Sequence, residues 1–338
     1  MQSLSSTFNE NYFILITVMS FFITVLSFRI SLPVFTYLRF LDKPKERSNH
    51  AKPIALGGGL VVIPIITIIT FLFGYEWSAF QIFPLLILFL ISLIDDIKNV
   101  KSLLRLIIHF FCISIYVHYF LIGQISFLND ISFEYLVAII YILMILGISW
   151  FINAFNFMDG IDGITSIKVV YLTISLIFFN YYLGYEGSIL NYCIVGVILG
   201  FLLFNWSPAK IFLGDSGSIP LGFIMSHLLL DLSLKGYWLS SIILVVYYLL
   251  DTSTTLIIRI WSKEKFWQAH SQHFYQKAVR NGRTHQEVCL NIIVMSLGLF
   301  LFALLAIVEK NNLIYLISSI VWCIFFLLKF SNKKNINT

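Results

Sequence analysis

The chain has 338 residues, 59% of them hydrophobic and only 12% charged, with a mean hydropathy of +0.90. Apolar runs of about 20 residues recur along it, each long enough to cross roughly 30 Å of hydrocarbon, which excludes an ordinary soluble domain. The runs do not alternate in polarity, so a transmembrane β-barrel is excluded too, and the net charge of +5 forms no basic face on a soluble domain that would take nucleic acid.

The expected fold class is an all-α polytopic membrane protein, a single integral membrane domain over 1–338. Spans are predicted over 11–31, 54–74, 79–94, 104–123, 135–152, 166–183, 188–205, 217–233, 238–258, 288–308 and 312–330, about eleven transmembrane helices. No Lys or Arg precedes Arg29 and Glu10 is acidic. The basic start of a secretory signal is therefore missing, and the first apolar run is expected to stay as a span. Cys112, Cys193, Cys289 and Cys323 all sit inside apolar runs, where packing is their expected role rather than a disulfide framework or zinc.

An odd number of spans puts the termini on opposite sides. Of the 22 lysines and arginines, only Lys235 and Lys310 fall on one side; the rest, Arg105 and Lys168 among them, are counted with the other. Basic connections mark the cytoplasm, so the N-terminus is expected outside and the C-terminus inside, with five cytoplasmic loops carrying the chemistry.

The first loop mixes cations, Arg47, His50 and Lys52, with the triplet Gly57-Gly-Gly59 at a helix entry. Bare backbone there suits close approach to a phosphate, and a positive-inside anchor with a flexible helix entry explains the same residues. The second, Asp95-Asp-Ile-Lys-Asn-Val-Lys101, ends a helix on adjacent carboxylates, which a divalent cation or a solvated cap would stabilise.

The third loop is Asn153-Ala-Phe-Asn-Phe-Met-Asp-Gly-Ile-Asp-Gly163. If the helical period continues through it, Asn156 and Asp159 share a face and Asp162 follows on the same side. A plain turn does not need two Asp and two Asn. The fourth, Asn205 to Ser218, sets Asp215 between glycines at a helix start, either as a ligand for a hard cation or favourably placed on the helix dipole beside an N-cap from Ser216 or Ser218.

The fifth loop holds His270 and His273, three apart, in a long basic and aromatic segment; either they bind phosphate, or the segment lies amphipathic at the interface. Asp251 falls inside the ninth apolar run and is expected to be buried and hydrogen-bonded between helices. Acids in three loops and cations in two more, all on one face, fit a site for a divalent cation and a phosphorylated substrate.

These motifs resemble the polyprenyl-phosphate N-acetylhexosamine-1-phosphate transferases, over about 42–285. Ser92-Leu-Ile-Asp-Asp96 is similar to the family's paired-aspartate motif, 153–163 to its Asn-x-x-Asn-x-x-Asp-Gly-x-Asp-Gly motif, and Phe212-Leu-Gly-Asp-Ser-Gly-Ser218 to its Gly-Asp-x-Gly-Ser motif. Pro44-Lys-Glu-Arg-Ser-Asn-His50 and His270-Ser-Gln-His-Phe-Tyr-Gln276 look more like the initiators of O-antigen that use 6-deoxy sugars. The enzyme that makes lipid I carries consecutive histidines, a departure that argues against a muramyl-pentapeptide donor.

The resemblance implies transfer of a sugar-1-phosphate from a UDP-N-acetylhexosamine (GlcNAc, FucNAc or QuiNAc) to undecaprenyl phosphate in the bacterial inner membrane, with Mg²⁺, or Mn²⁺ in its place, as cofactor. It implies Asp215 and Asp95 at the metal, Asp95, Asp96, Asn156 and Asp159 as catalytic groups, and Asn153, Asp162, Phe212, Arg47, His50, Lys52, His270 and His273 at the substrates. Membrane lipid and a homodimer are among the expected partners. A secondary transporter for an anionic solute is the alternative, although its polar groups would sit near the midplane rather than at one face.

Overall fold

The structure, a computed structural model, describes residues 10–42, 44, 52–128, 134–265, 268 and 270–334. Arg47 and His50 lie outside the described residues.

The helices are α1 (Glu10–Tyr37), α2 (Gly59–Leu72), α3 (Ala79–Lys98), α4 (Ser102–Leu128), α5 (Glu134–Phe157), α6 (Ile164–Tyr182), α7 (Ile189–Asn205), α8 (Asp215–Leu232), α9 (Trp238–Trp261), α10 (Phe274–Arg280), α11 (His285–Val308) and α12 (Ile314–Ser331). Among the described residues, eight helical runs are long and apolar enough to cross a membrane. One of them is the 47-residue run through α8 and α9, bent at a π turn, Ser233–Tyr237, where Gly236 has a φ of 95°. Two shorter apolar helices, α2 and α7, complete the set. An all-α polytopic membrane protein is what the apolar periods predict. The large side chains left on the surface, such as Phe22, Ile30, Phe71 and Leu297, face outward as lipid-facing residues do.

Helix α8 is the innermost element, buried along most of its length, with Phe223, Ile224 and Met225 within 1% of full burial. The four cysteines are free and buried, in keeping with packing.

Several boundaries differ from the sequence reading. Helix α3 runs on to Lys98, so Asp95 and Asp96 ride on its last turns rather than in a loop. Helix α5 ends at Phe157, which breaks the helical period assumed across 153–163. Lys168, counted with the polar connections, lies fully buried inside α6, its ammonium donating to the Leu244 carbonyl at 3.0 Å.

One feature had no signal in the apolar pattern: a three-stranded sheet of β1 (Leu41–Asp42), β2 (Ile54–Leu56) and β3 (Ile211–Phe212), in that order. The β1–β2 pair is antiparallel and β2–β3 parallel, which ties the first loop to the fourth. The glycine triplet serves this tie. Gly58 and Gly59 donate their N–H groups to the Phe212 and Leu213 carbonyls at 2.9 and 2.8 Å. A Cβ on Gly59 would sit 2.3 Å from the Gly217 nitrogen. The bare backbone expected to meet a phosphate therefore meets the start of α8, because those N–H groups are already satisfied.

Candidate active site

The sheet and the ends of α3, α4, α5 and α8 bring the polar motifs together at one end of the bundle. Asn99, in the left-handed region at φ 53°, stops α3 and turns the chain into α4 within three residues. That tight hairpin sets Arg105, on the first turns of α4, across from Asp95, ten residues earlier. Val100 N–H also donates to Asp95 Oδ1 at 2.6 Å.

Arg105 Nη1 donates to Asp95 Oδ2 and, at 2.8 Å, to Asp215 Oδ2. One guanidinium thus spans two carboxylates from different helices. From α5, Asn156 Nδ2 donates to the other oxygen of Asp215 at 2.9 Å and to Ser218 Oγ at 2.8 Å. The group is open to water on one side, with the Arg105 side chain 29% and that of Asp215 30% exposed, while that of Asp95 is 13% exposed.

Asp96 does something else. Its Oδ1 and Oδ2 accept the N–H groups of Asp215 and Ser216, both at 2.9 Å. A carboxylate from α3 thereby caps α8, satisfying two of the free N–H groups there and complementing the helix dipole. The cap foreseen from Ser216 or Ser218 comes from Asp96 instead.

The third loop divides in two. Asn156 joins the cluster, whereas Asn153 turns back to its own helix, donating to the Ser149 carbonyl at 2.8 Å. Asp159 lies close by: burial, reinforced by the Asp215 and Asp96 charges, pushes it up to about 7. Asp162 faces away toward α11, its Oδ2 3.1 Å from His285 Nδ1 and accepting the Ala209 N–H at 3.2 Å. Burial opposes its charge, but the His285 contact and that N–H hold it below the usual carboxylate range. Asn205 ties this loop to the fourth, accepting from Gly163 N–H and donating to the Ile211 carbonyl, each at 3.0 Å.

Of the remaining predicted positions, Lys52 is exposed just ahead of β2 and Phe212 is half-buried in β3. His273 is buried at 2% exposure, and the His270 ring lies tilted against it, 4.9 Å between centroids. Nδ1 of His273 lies 3.1 Å from Asp251 Oδ1. Arg105 was read from the sequence only as a topological charge, and Ser218 only as a cap. Their signal was the helical spacing after the paired aspartates and the serine four residues beyond Gly214, neither of which identifies its partner.

No group of three or more His, Cys, Asp or Glu placed to hold a metal occurs among the described residues. The donor set still suits a hard cation, since Asp95 and Asp215 converge on one positive group and Mg²⁺ commonly takes one or two carboxylates plus phosphate and water oxygens.

A pair of acids, an amide and an arginine thus meet at one end of an apolar bundle. Residues 78–233, which hold α3 to α8 and most of this cluster, match the family model for glycosyl transferase family 4. The resemblance drawn from the motifs is therefore borne out for that segment. Among similar proteins is a probable undecaprenyl-phosphate N-acetylglucosaminyl 1-phosphate transferase of Bacillus subtilis, 34% identical over 52% of this chain and 50% of that protein. Others are phospho-N-acetylmuramoyl-pentapeptide-transferases, from Streptococcus pyogenes serotype M6 (36% identical over 39% of each chain) and Streptococcus mutans serotype c (37% over 41% of each). The chain thus spans at most half the length of these relatives.

Proposed function

We propose that the protein transfers an N-acetylhexosamine-1-phosphate from a UDP-sugar to undecaprenyl phosphate, releasing UMP. The observation that carries this reading is the convergence of Asp95, Asp215, Asn156 and Arg105 where an apolar bundle ends. One substrate is water-soluble, and the other has its phosphate at headgroup level with its chain in lipid. A polar cluster at the rim of a membrane bundle meets both.

An oxygen of the lipid phosphate attacks the sugar-bearing phosphorus of the donor, a new P–O bond forms, and the P–O bond to UMP breaks. The requirements are charge neutralisation, alignment and an ionised nucleophile. Mg²⁺ held by Asp215 and Asp95 would neutralise charge on the pyrophosphate. Asn156 orients Asp215 by fixing one of its oxygens, and Asp96 holds the first turn of α8 so that Asp215 cannot drift. Arg105 carries a positive charge to the same point. Asp159, with its proton affinity raised to about 7, is the base of the cluster, suited to take a proton from the lipid phosphate near neutral pH. We favour a single displacement over an enzyme-bound phosphosugar.

The first loop's cations and His270 and His273 are assigned to substrate phosphates, and Asp162 and Phe212 to the nucleotide end. The N-terminus is assigned to the outer side and the site to the cytoplasmic face of a bacterial inner membrane, where the reaction would start a cell-surface polysaccharide. GlcNAc, FucNAc and QuiNAc are the donor sugars to test.

The experiment is UMP release by purified protein with undecaprenyl phosphate, Mg²⁺ and each UDP-sugar in turn. Release with one donor, dependent on the lipid, is the expected result. No release with any donor, accompanied by solute uptake into vesicles, would overturn the assignment in favour of a transporter.

A further inference from the structure

Asp251 lies on α9, ten residues before that helix ends at Trp261 and therefore about 15 Å along it. It is fully buried in an apolar bundle, where an ionised carboxylate without partners is strongly disfavoured. The groups that face it come from α9 itself and from the fifth loop. Tyr247 and Thr255, one turn away on either side, donate hydroxyls at 3.4 Å to Oδ2 and Oδ1. The shorter contacts are from the loop: His273 Nδ1 at 3.1 Å and the Phe274 N–H at 3.0 Å, both on Oδ1. Backbone outside the long helices is thereby drawn down against α9, which is tolerated at such depth only where protein surrounds it.

This contact reaches the active-site wall. The His273 ring stacks on Phe157, 5.9 Å between centroids, and on Tyr275 at 6.1 Å. Phe157 is the neighbour of Asn156 and the last residue of α5. Tyr275 donates its hydroxyl to the Phe157 carbonyl at 2.8 Å. The same hydroxyl leaves no room at Gly160, where a Cβ would come within 2.2 Å of it, beside Asp159. Asp251, His273 and the end of α5 form one packed series.

We propose that Asp251 is a positioning residue for the transfer reaction: it takes the Nδ1 hydrogen of His273, fixes the ring against Phe157, and leaves Nε2 as the nitrogen that meets a substrate phosphate oxygen. A carboxylate on one ring nitrogen sets which nitrogen is presented by the other edge, as in other His sites oriented by an acid. The sequence reading gave Asp251 a bridging role between helices; the structure instead joins it to the loop that carries His270 and His273. This inference rests on the function proposed above.

The test is a cycle of Asp251→Asn, His273→Gln and the double variant, with UMP release as one readout and the imidazole ¹⁵N shifts of the resting protein as the other. His273 is assigned by the signal that His273→Gln removes. Each single variant is expected to lose about 10- to 100-fold in kcat/KM, the usual effect of removing an orienting partner, and the double to lose no more than His273→Gln alone. In Asp251→Asn the Nδ1 signal of His273 should move from that of a nitrogen donating to a carboxylate. Additive losses, an unchanged His273 spectrum, or wild-type turnover in either single variant would overturn the proposal. Where Asp251→Asn does not fold, Asp251→Glu replaces it and the same cycle decides. If the wild-type protein releases no UMP, the functional reading fails, while the ¹⁵N spectrum still decides whether Asp251 fixes the ring.

Discussion

Removing the guanidinium that joins Asp95 to Asp215 should destabilise the metal-free protein and tighten its hold on Mg²⁺. In Arg105→Gln the two carboxylates keep their places, one tied to Val100 N–H and the other to Asn156, but lose the positive charge between them. A hydrogen bond to a charged group contributes about 1.5–3 kcal/mol in a shielded site. With Arg105 and Asp215 each nearly a third exposed, screening brings the two contacts together to about 2 kcal/mol. For a chain longer than 250 residues that is a fall in melting temperature of about 4 °C, measurable by scanning fluorimetry in detergent with EDTA. Excess Mg²⁺ should close the gap, since a divalent ion at the paired carboxylates replaces the missing charge. The Mg²⁺ titration midpoint should fall about tenfold, worth about 1.4 kcal/mol. An unchanged melting temperature in EDTA, or a deficit that Mg²⁺ leaves untouched, would refute the reasoning that these two acids form a cation site.

Asp215→Asn keeps the Asn156 contact and the Asp96 cap but halves the acid pair; turnover should vanish while the melting temperature shifts by less than about 5 °C, and wild-type activity would show that Asp215 is only part of a helix start. The raised proton affinity of Asp159 has a definite sign: its contribution to stability is complete below the ordinary carboxylate range, near 3.8, and is lost as pH rises through about 7. Melting temperature in EDTA should therefore decline between about pH 4 and 7 by an amount that Asp159→Asn removes; parallel pH curves for the two proteins would contradict it. Gly59→Ala forces a methyl against the Gly217 nitrogen, so a loss of about 2–4 kcal/mol and separation of the β2–β3 pair are expected, read as melting temperature and as proteolysis of the first loop.

Much of the fold was legible because a membrane imposes a length on apolar runs, and each such run became a helix. Helix ends were less legible. Lys98 carries α3 two residues past Asp96, since a polar residue ends a hydrophobic run without ending a helix. Within the site, the types of residue were legible and their partners were not. Asp96 and Asp95 are adjacent in sequence and both acidic, yet one caps α8 and the other meets Arg105, because successive residues on a helix point about 100° apart and so face different neighbours.

The sequence alone determined that the chain is a bundle of membrane helices with its carboxylates and amides gathered in a few polar segments, since hydropathy and motif spacing are local properties. Only the tertiary structure decided which of those groups meet. The strand pairing of 54–56 with 211–212, the reach of Arg105 to two acids, the turn of Asp162 toward His285 and the hold of Asp251 on His273 all join residues far apart in the chain or on different elements. Those contacts depend on how helices pack side by side, and no periodicity within one helix encodes the identity of its neighbour.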